Sequence, residues 1–202
     1  MNNKGFISTR AIVALVVIAL ILIYAVSGYN SLATQNQGVM SSWAQVQNQY
    51  QRRMDLIPNL VNIVKGEANF EKSTLTDVIN ARAKATQVTL SPELLNDQAK
   101  LQQFQQTQNQ LGSSLSRLMV TVEKYPDLKT NQQFAQLMDE LAGTENRIAV
   151  SRKDFNNTVQ QFNSNVVIFP RNILANAFGF KAKAYFQADE GSNKAPAINF
   201  SN

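Results

Sequence analysis

Arg52, Arg53 and Asp55 fall within one helical turn, just ahead of Pro58 and Asn59, and Glu145, Asn146 and Arg147 stand together further along the chain. These are the densest groups of side chains able to pair by charge or hold a polar ligand. On two facing helices they would form a polar site for a partner or ligand. The plainer arrangement pairs Arg52 or Arg53 with Glu145, and Arg147 with Asp55. Buried pairs of that kind fix helix register more reliably than they add stability. Pro58 removes one backbone donor and frees the Met54 carbonyl, which predicts a kink, and Asn59 is placed to bridge the freed group.

A second candidate is Ile168 to Phe186, IFPRNILANAFGFKAKAYF. It carries Phe169, Arg171, Phe178, Phe180, Lys181, Lys183 and Tyr185, and it contains no acid. Cations interleaved with aromatics suit a membrane surface. The alternative is that these rings cover an open end of the core.

The chain of 202 residues has no Cys and no His. Thiol nucleophiles, His-based triads, His general bases and the ordinary Zn and Cu sites are thereby removed, and no cofactor or metal is expected. Asp139 and Glu140 are adjacent, so on a helix they point about 100° apart and do not share a site. An enzyme is not expected. The net charge of +5 is spread along the chain, without the dense basic stripe that nucleic-acid binding requires.

These residues are positioned by a chain that reads as helix throughout. Ala11 to Tyr29 is uncharged and apolar, with Lys4 and Arg10 before it and no further charge until Arg52. A helix of that length reaches about 29 Å, the thickness of a bilayer's hydrocarbon. We read a retained transmembrane helix over 11–29, with 1–10 in the cytoplasm and the remainder across the membrane. A cleaved signal peptide, with Ala25-Val26-Ser27 as its processing site, is the alternative. Residues 30–38 form a hinge or continue the helix. Apolar residues at helical spacing then run over 39–65 and 73–86. Ser91-Pro92-Glu93 looks like the capped start of a helix reaching Lys124. Thr130 and Gln133 fit a capping box for a further helix with Phe134, Leu137, Leu141, Thr144, Ile148, Ser151, Phe155, Thr158 and Phe162 on one face. Residues 187–202 read as an extended or disordered tail.

The expected fold is all-α: a transmembrane helix, then an antiparallel up-and-down bundle over 30–186. The bundle has four helices, or three if 39–87 is one long kinked helix. The distinction matters, because with four helices the Ile168–Phe186 segment returns to the membrane.

The stretches QRRMDLIPNLVNIVKGEANFEKSTLTDVINARAKA, LSRLMVTVEKYPDLKTNQQFAQLMDELAGTENRIAVSRKDFNNTVQQFN and FPRNILANAFGFKAKAYFQADEG resemble the LemA family, and the likeness runs from the anchor to Glu190. Phe70 stands where that family commonly has His, and Glu67 where it often has Tyr. The resemblance implies a bacterial protein with one N-terminal membrane helix and a helical bundle, without established enzymatic activity. Some members are associated with magnetosome membranes. The expected function is a membrane-anchored, non-enzymatic scaffold in the bacterial envelope, contacting the bilayer and either a second copy of itself or an envelope protein. The alternative is an adaptor regulating a membrane protease or transporter complex.

Overall fold

The computed structural model describes residues 9–67, 69–88 and 91–188. Every regular element among the described residues is helical: α1 (Thr9–Lys65), α2 (Lys72–Gln87), a 3-10 turn (Pro92–Asn96), α3 (Gln98–Val122), α4 (Pro126–Thr130), α5 (Gln132–Val167) and α6 (Arg171–Ala177). The expected cytoplasmic lead-in lies mostly, and the C-terminal tail beyond Ala188 wholly, outside the described residues.

α1 is continuous over 57 residues, about 86 Å at 1.5 Å per residue. Residues 30–38 are therefore helix rather than hinge. The apolar N-terminal part is bare of protein, with Leu15 and Ile23 each more than 60% exposed. From Leu32 the same helix becomes the spine of the bundle, burying Val39, Trp43, Val46, Tyr50, Ile57, Leu60 and Val64. The chain turns at Gly66, and α2 runs back as a separate helix, so four long helices are present. α1 and α5 run antiparallel along most of their length, as the contacts Arg52–Glu140, Gln49–Arg147 and Gln35–Asn165 show. α5 thus returns to the apolar end of α1.

Two helix starts lie elsewhere than the sequence suggests. Ser91 opens only the five-residue 3-10 turn and makes no side-chain cap bond. The cap of α3 is Asp97, whose carboxylate accepts from the N–H groups of Ala99 and Lys100. Thr130 ends α4, its hydroxyl donating back to the Pro126 carbonyl at 3.0 Å. The cap of α5 is Asn131, which accepts from the Phe134 N–H.

Two apolar cores are stacked along the bundle. The distal one joins α1, α2, α3, α4 and α5 through residues such as Ile57, Val78, Leu118, Leu128 and Leu141. The proximal one joins α1, α3 and α5 through Trp43, Phe104, Phe155 and Phe162, and contains no α2 residue. With α2 too short to reach it, the proximal core is closed by the 3-10 turn (Leu94, Leu95) and by Ala184 and Phe186 near the C-terminus.

Candidate partner-contact and membrane-surface sites

The charged residues do not gather into one site. Arg53 points inward and is 3% exposed; it donates to Glu145 at 2.7 Å, to the Gln108 side chain, and weakly to the Gln108 carbonyl. Its guanidinium also lies 5.3 Å from the centre of the Tyr50 ring. This group forms a polar layer between the two cores, one member from each of α1, α3 and α5. Arg52 points outward to Glu140. Asp55 does not meet Arg147: it accepts from Gln51 at 2.8 Å. Arg147 instead donates to Gln49 at 3.2 Å and to Thr144 at 2.8 Å. The reason is rotational. Glu145 and Arg147 are two positions apart, about 200° around a helix, so they serve opposite sides of α5. Arg147 and Asn146 line a cleft of 480 Å³ between α1 and α5, with Gln45, Asn48 and Gln49. Asn59 lines another, with Asn62, Gln136 and Glu140.

Pro58 does not break α1, which continues through it to Lys65. The Met54 carbonyl it frees is satisfied by Arg82 of α2, whose Nε donates at 3.1 Å. Asn59 is not the bridge. Arg82→Met should cost about 1–3 kcal/mol, because it strands a carbonyl that a charged donor holds. Adding Pro58→Ala restores the helical N–H, so the double variant should recover most of the loss. Thermal melts of the two single variants and the pair form the cycle that checks this; additive losses would refute the coupling.

Phe70, at the position of the family's usual His, is buried and packs on Tyr125, ring centres 4.9 Å apart. Among the described residues, no three His, Cys, Asp or Glu side chains gather where a metal would sit.

The Ile168–Phe186 segment divides into two parts with different tasks. The outer part, Val167 to Phe178, is largely apolar surface: Val167, Ile168, Phe169, Ile173 and Phe178 are all more than half exposed, and Phe169 is 75% exposed. It is fastened to α1 at the end of the apolar stretch. A Cβ on Gly28 would overlap Leu174, so glycine lets α6 close on α1. Tyr29 packs edge-on against Phe178 at 4.9 Å and against Phe180 at 5.9 Å. Arg171 donates to Asn165, and Lys181 is exposed.

The inner part is an extended strap. Gly179, at φ 75°, turns the chain out of α6, and Lys183 to Gln187 then lies along the seam between α3 and α5. Four amide side chains each hold one strap residue by both its N–H and its carbonyl: Asn163 on Lys183, Gln98 on Tyr185, Asn156 on Phe186 and Gln105 on Gln187. The Ala184 N–H donates to the Leu95 carbonyl at 2.8 Å. Partial burial pushes the Lys183 ammonium below the usual lysine range, and its Nζ donates to Asn96 at 2.8 Å. Gln187 is thus the last clamp of the strap rather than the start of a loose tail. The sequence does contain a signal for this groove. Gln98 and Gln105, and Asn156 and Asn163, are both seven residues apart, which places each pair on one helix face.

Residues 42–200 match the LemA family profile. The chain belongs to the LemA family. The match starts beyond the apolar stretch and takes in most of the bundle, α6 and the strap. Magnetosome protein MamQ 2 of Paramagnetospirillum magneticum is 24% identical across 92% of this chain and 74% of its own length. Magnetosome protein MamQ of Magnetospirillum gryphiswaldense is 26% identical across 78% of this chain and 64% of its own. Protein LemA of Metamycoplasma hominis is 25% identical across 80% of this chain and 69% of its own. Among the described residues of this LemA-family chain, one helix segment near the N-terminus is long and apolar enough to cross a membrane and is left uncovered by its own fold.

Proposed function

We propose that this chain is a single-pass, membrane-anchored scaffold without enzymatic activity, whose bundle stands on the far side of the membrane and binds further copies of itself or an envelope partner. The observation that carries this reading is the continuity of α1. One unbroken helix supplies both the membrane-length apolar segment and the spine of the bundle, so the domain is held rigidly to its anchor. An enzyme seeking substrate gains nothing from such coupling, whereas a platform that positions partners depends on it. Relatives named as magnetosome proteins fit the same reading. The bundle also offers largely amide-lined polar surface for contact. A cleft of 610 Å³ runs along α3 from the end of the strap, lined by Gln102, Gln106, Gln110, Ser113 and Arg117.

The test is the mass of the full-length protein, gently extracted, from light scattering with the detergent contribution subtracted. A large, uniform species is the expected result. A monomer that carries along an unrelated membrane protein supports the adaptor form instead, and a bare monomer in every detergent overturns both.

A further inference from the structure

We infer that Val167, Ile168, Phe169, Ile173 and Phe178 enter the lipid headgroup–acyl boundary on the bundle side of the membrane, with Arg171 and Lys181 beside the headgroup phosphates. Three independent observations meet here. First, these side chains form an apolar surface on the end of α5, the following turn and α6, in a protein whose other exposed surface is rich in Gln, Asn and Ser. Second, the surface lies at one height along α1. Leu174 sits over Gly28, and Phe178 and Phe180 sit on Tyr29, where the lipid-exposed run from Ile12 to Val26 has just ended. Third, no acid occurs in the sequence between Asp154 and Asp189, and neither Arg171 nor Lys181 forms an ion pair among the described residues. An apolar face flanked by cations is the composition that lies in an interface plane rather than crossing it.

The occupant is the bilayer itself, because the surface continues the apolar face of α1 without a gap. A protein partner would have to share that level with lipid on one side. Two contacts instead of one also have a mechanical result. A single transmembrane helix leaves its domain free to rock, whereas α1 and the α6 collar together set the direction in which the bundle leans. This inference goes beyond the scaffold reading, but it rests on α1 lying in the membrane.

The absence of Cys makes the test clean, since each introduced cysteine is unique. Phe169→Cys, Ile173→Cys and Phe178→Cys are spin-labelled in the full chain and reconstituted into phosphatidylcholine vesicles, alone and mixed with phosphatidylglycerol. Ile21→Cys reports on α1, and Val150→Cys, on exposed α5 surface further along the bundle, reports on water. Collision rates with oxygen, which concentrates in lipid, and with a water-soluble nickel complex are compared. The collar labels are expected to favour oxygen severalfold over Val150, and to move deeper when phosphatidylglycerol is present. Collar labels as open to nickel as Val150, while Ile21 is in lipid, overturn the collar and leave the anchor standing. Labels reached by neither reagent overturn it in favour of a protein partner. If Ile21 itself meets nickel, the membrane reading of α1 fails first, and the collar with it.

Discussion

Phe186→Ala is expected to lower stability by about 3–5 kcal/mol, the cost of truncating a fully packed Phe. Phe186 is 5% exposed, yet it lies outside any helix. Its ring packs against Phe155 at 5.6 Å and Trp43 at 6.0 Å, and the Arg152 guanidinium lies 4.8 Å from its centre. In the half of the bundle that α2 does not reach, this side chain does the work of a fourth helix. Its loss leaves a cavity beside Trp43 and removes the main apolar anchor of the strap. For a domain of this size the melting temperature should fall by about 10 °C or more. Phe169→Ala is the control. At 75% exposure it should change stability by no more than about 0.5 kcal/mol in detergent. Circular dichroism melts of the full-length variants decide the matter. Equal melting temperatures for the two would mean that the strap does not close the proximal core.

The helices were readable because apolar residues at helical spacing report directly on which face is covered, and the uncovered stretch of α1 because it is apolar all round. Trp43, Phe104, Leu111, Ile148 and Phe155 all sit in the core, as that spacing requires. Of the small residues on α5, Thr144 and Ser151 are buried, while Thr158 stays partly open beside Gly38 of α1 and it is Val159 that turns inward. Cap positions were less legible. Ser91 and Thr130 carry suitable hydroxyls, but the caps are Asp97 and Asn131: a 3-10 turn fills the six-residue step from Ser91, and Thr130 is taken up as the last residue of α4. Pair identities were less legible still, because a charge's partner depends on helix rotation, and one residue is worth about 100°. Hence Arg53 and Glu145 meet as expected, while Arg147 and Asp55 do not. The strap carries only a brief alternation, Phe180, Ala182, Ala184 and Phe186 against Lys181, Lys183 and Tyr185, too short to announce a core contact. Side-chain amides recognise its backbone, and in a segment rich in Gln the two that matter, Gln98 and Gln105, look like the rest.

The other large effect is expected at the polar layer between the two cores. Arg53→Ala should cost about 3–5 kcal/mol, from a stranded buried amide and the cavity left by a long buried stem. The cost has identifiable parts. The Gln108 side chain, in a residue only 3% exposed, loses a charged donor, and the long Arg53 stem leaves a cavity between Tyr50 and Ile57. Glu145→Gln should cost far less, under about 1 kcal/mol, since Glu145 is 47% exposed and water replaces much of what it loses. Cutting the same pair from its two ends should therefore give very different melting temperatures. Equal losses would show that the ion pair, rather than the buried amide, dominates.

The combined variant Arg53→Met, Gln108→Leu, Glu145→Leu separates stability from specificity. Replacing a buried ionic group by apolar residues of similar volume is often neutral or stabilising, so its melting temperature should match or exceed that of the native chain. What it removes is the buried charged layer, the feature of the shared seam that most strongly distinguishes the native alignment of α1, α3 and α5 from a slip. Spin labels on exposed positions of α1 and α5 should give one narrow distance distribution in the native chain and a broader or split one in this variant. A variant both stable and singly aligned would assign register to the remaining side chains, with the strap's four amide clamps the first to examine, since they too hold α3 and α5 in fixed relation.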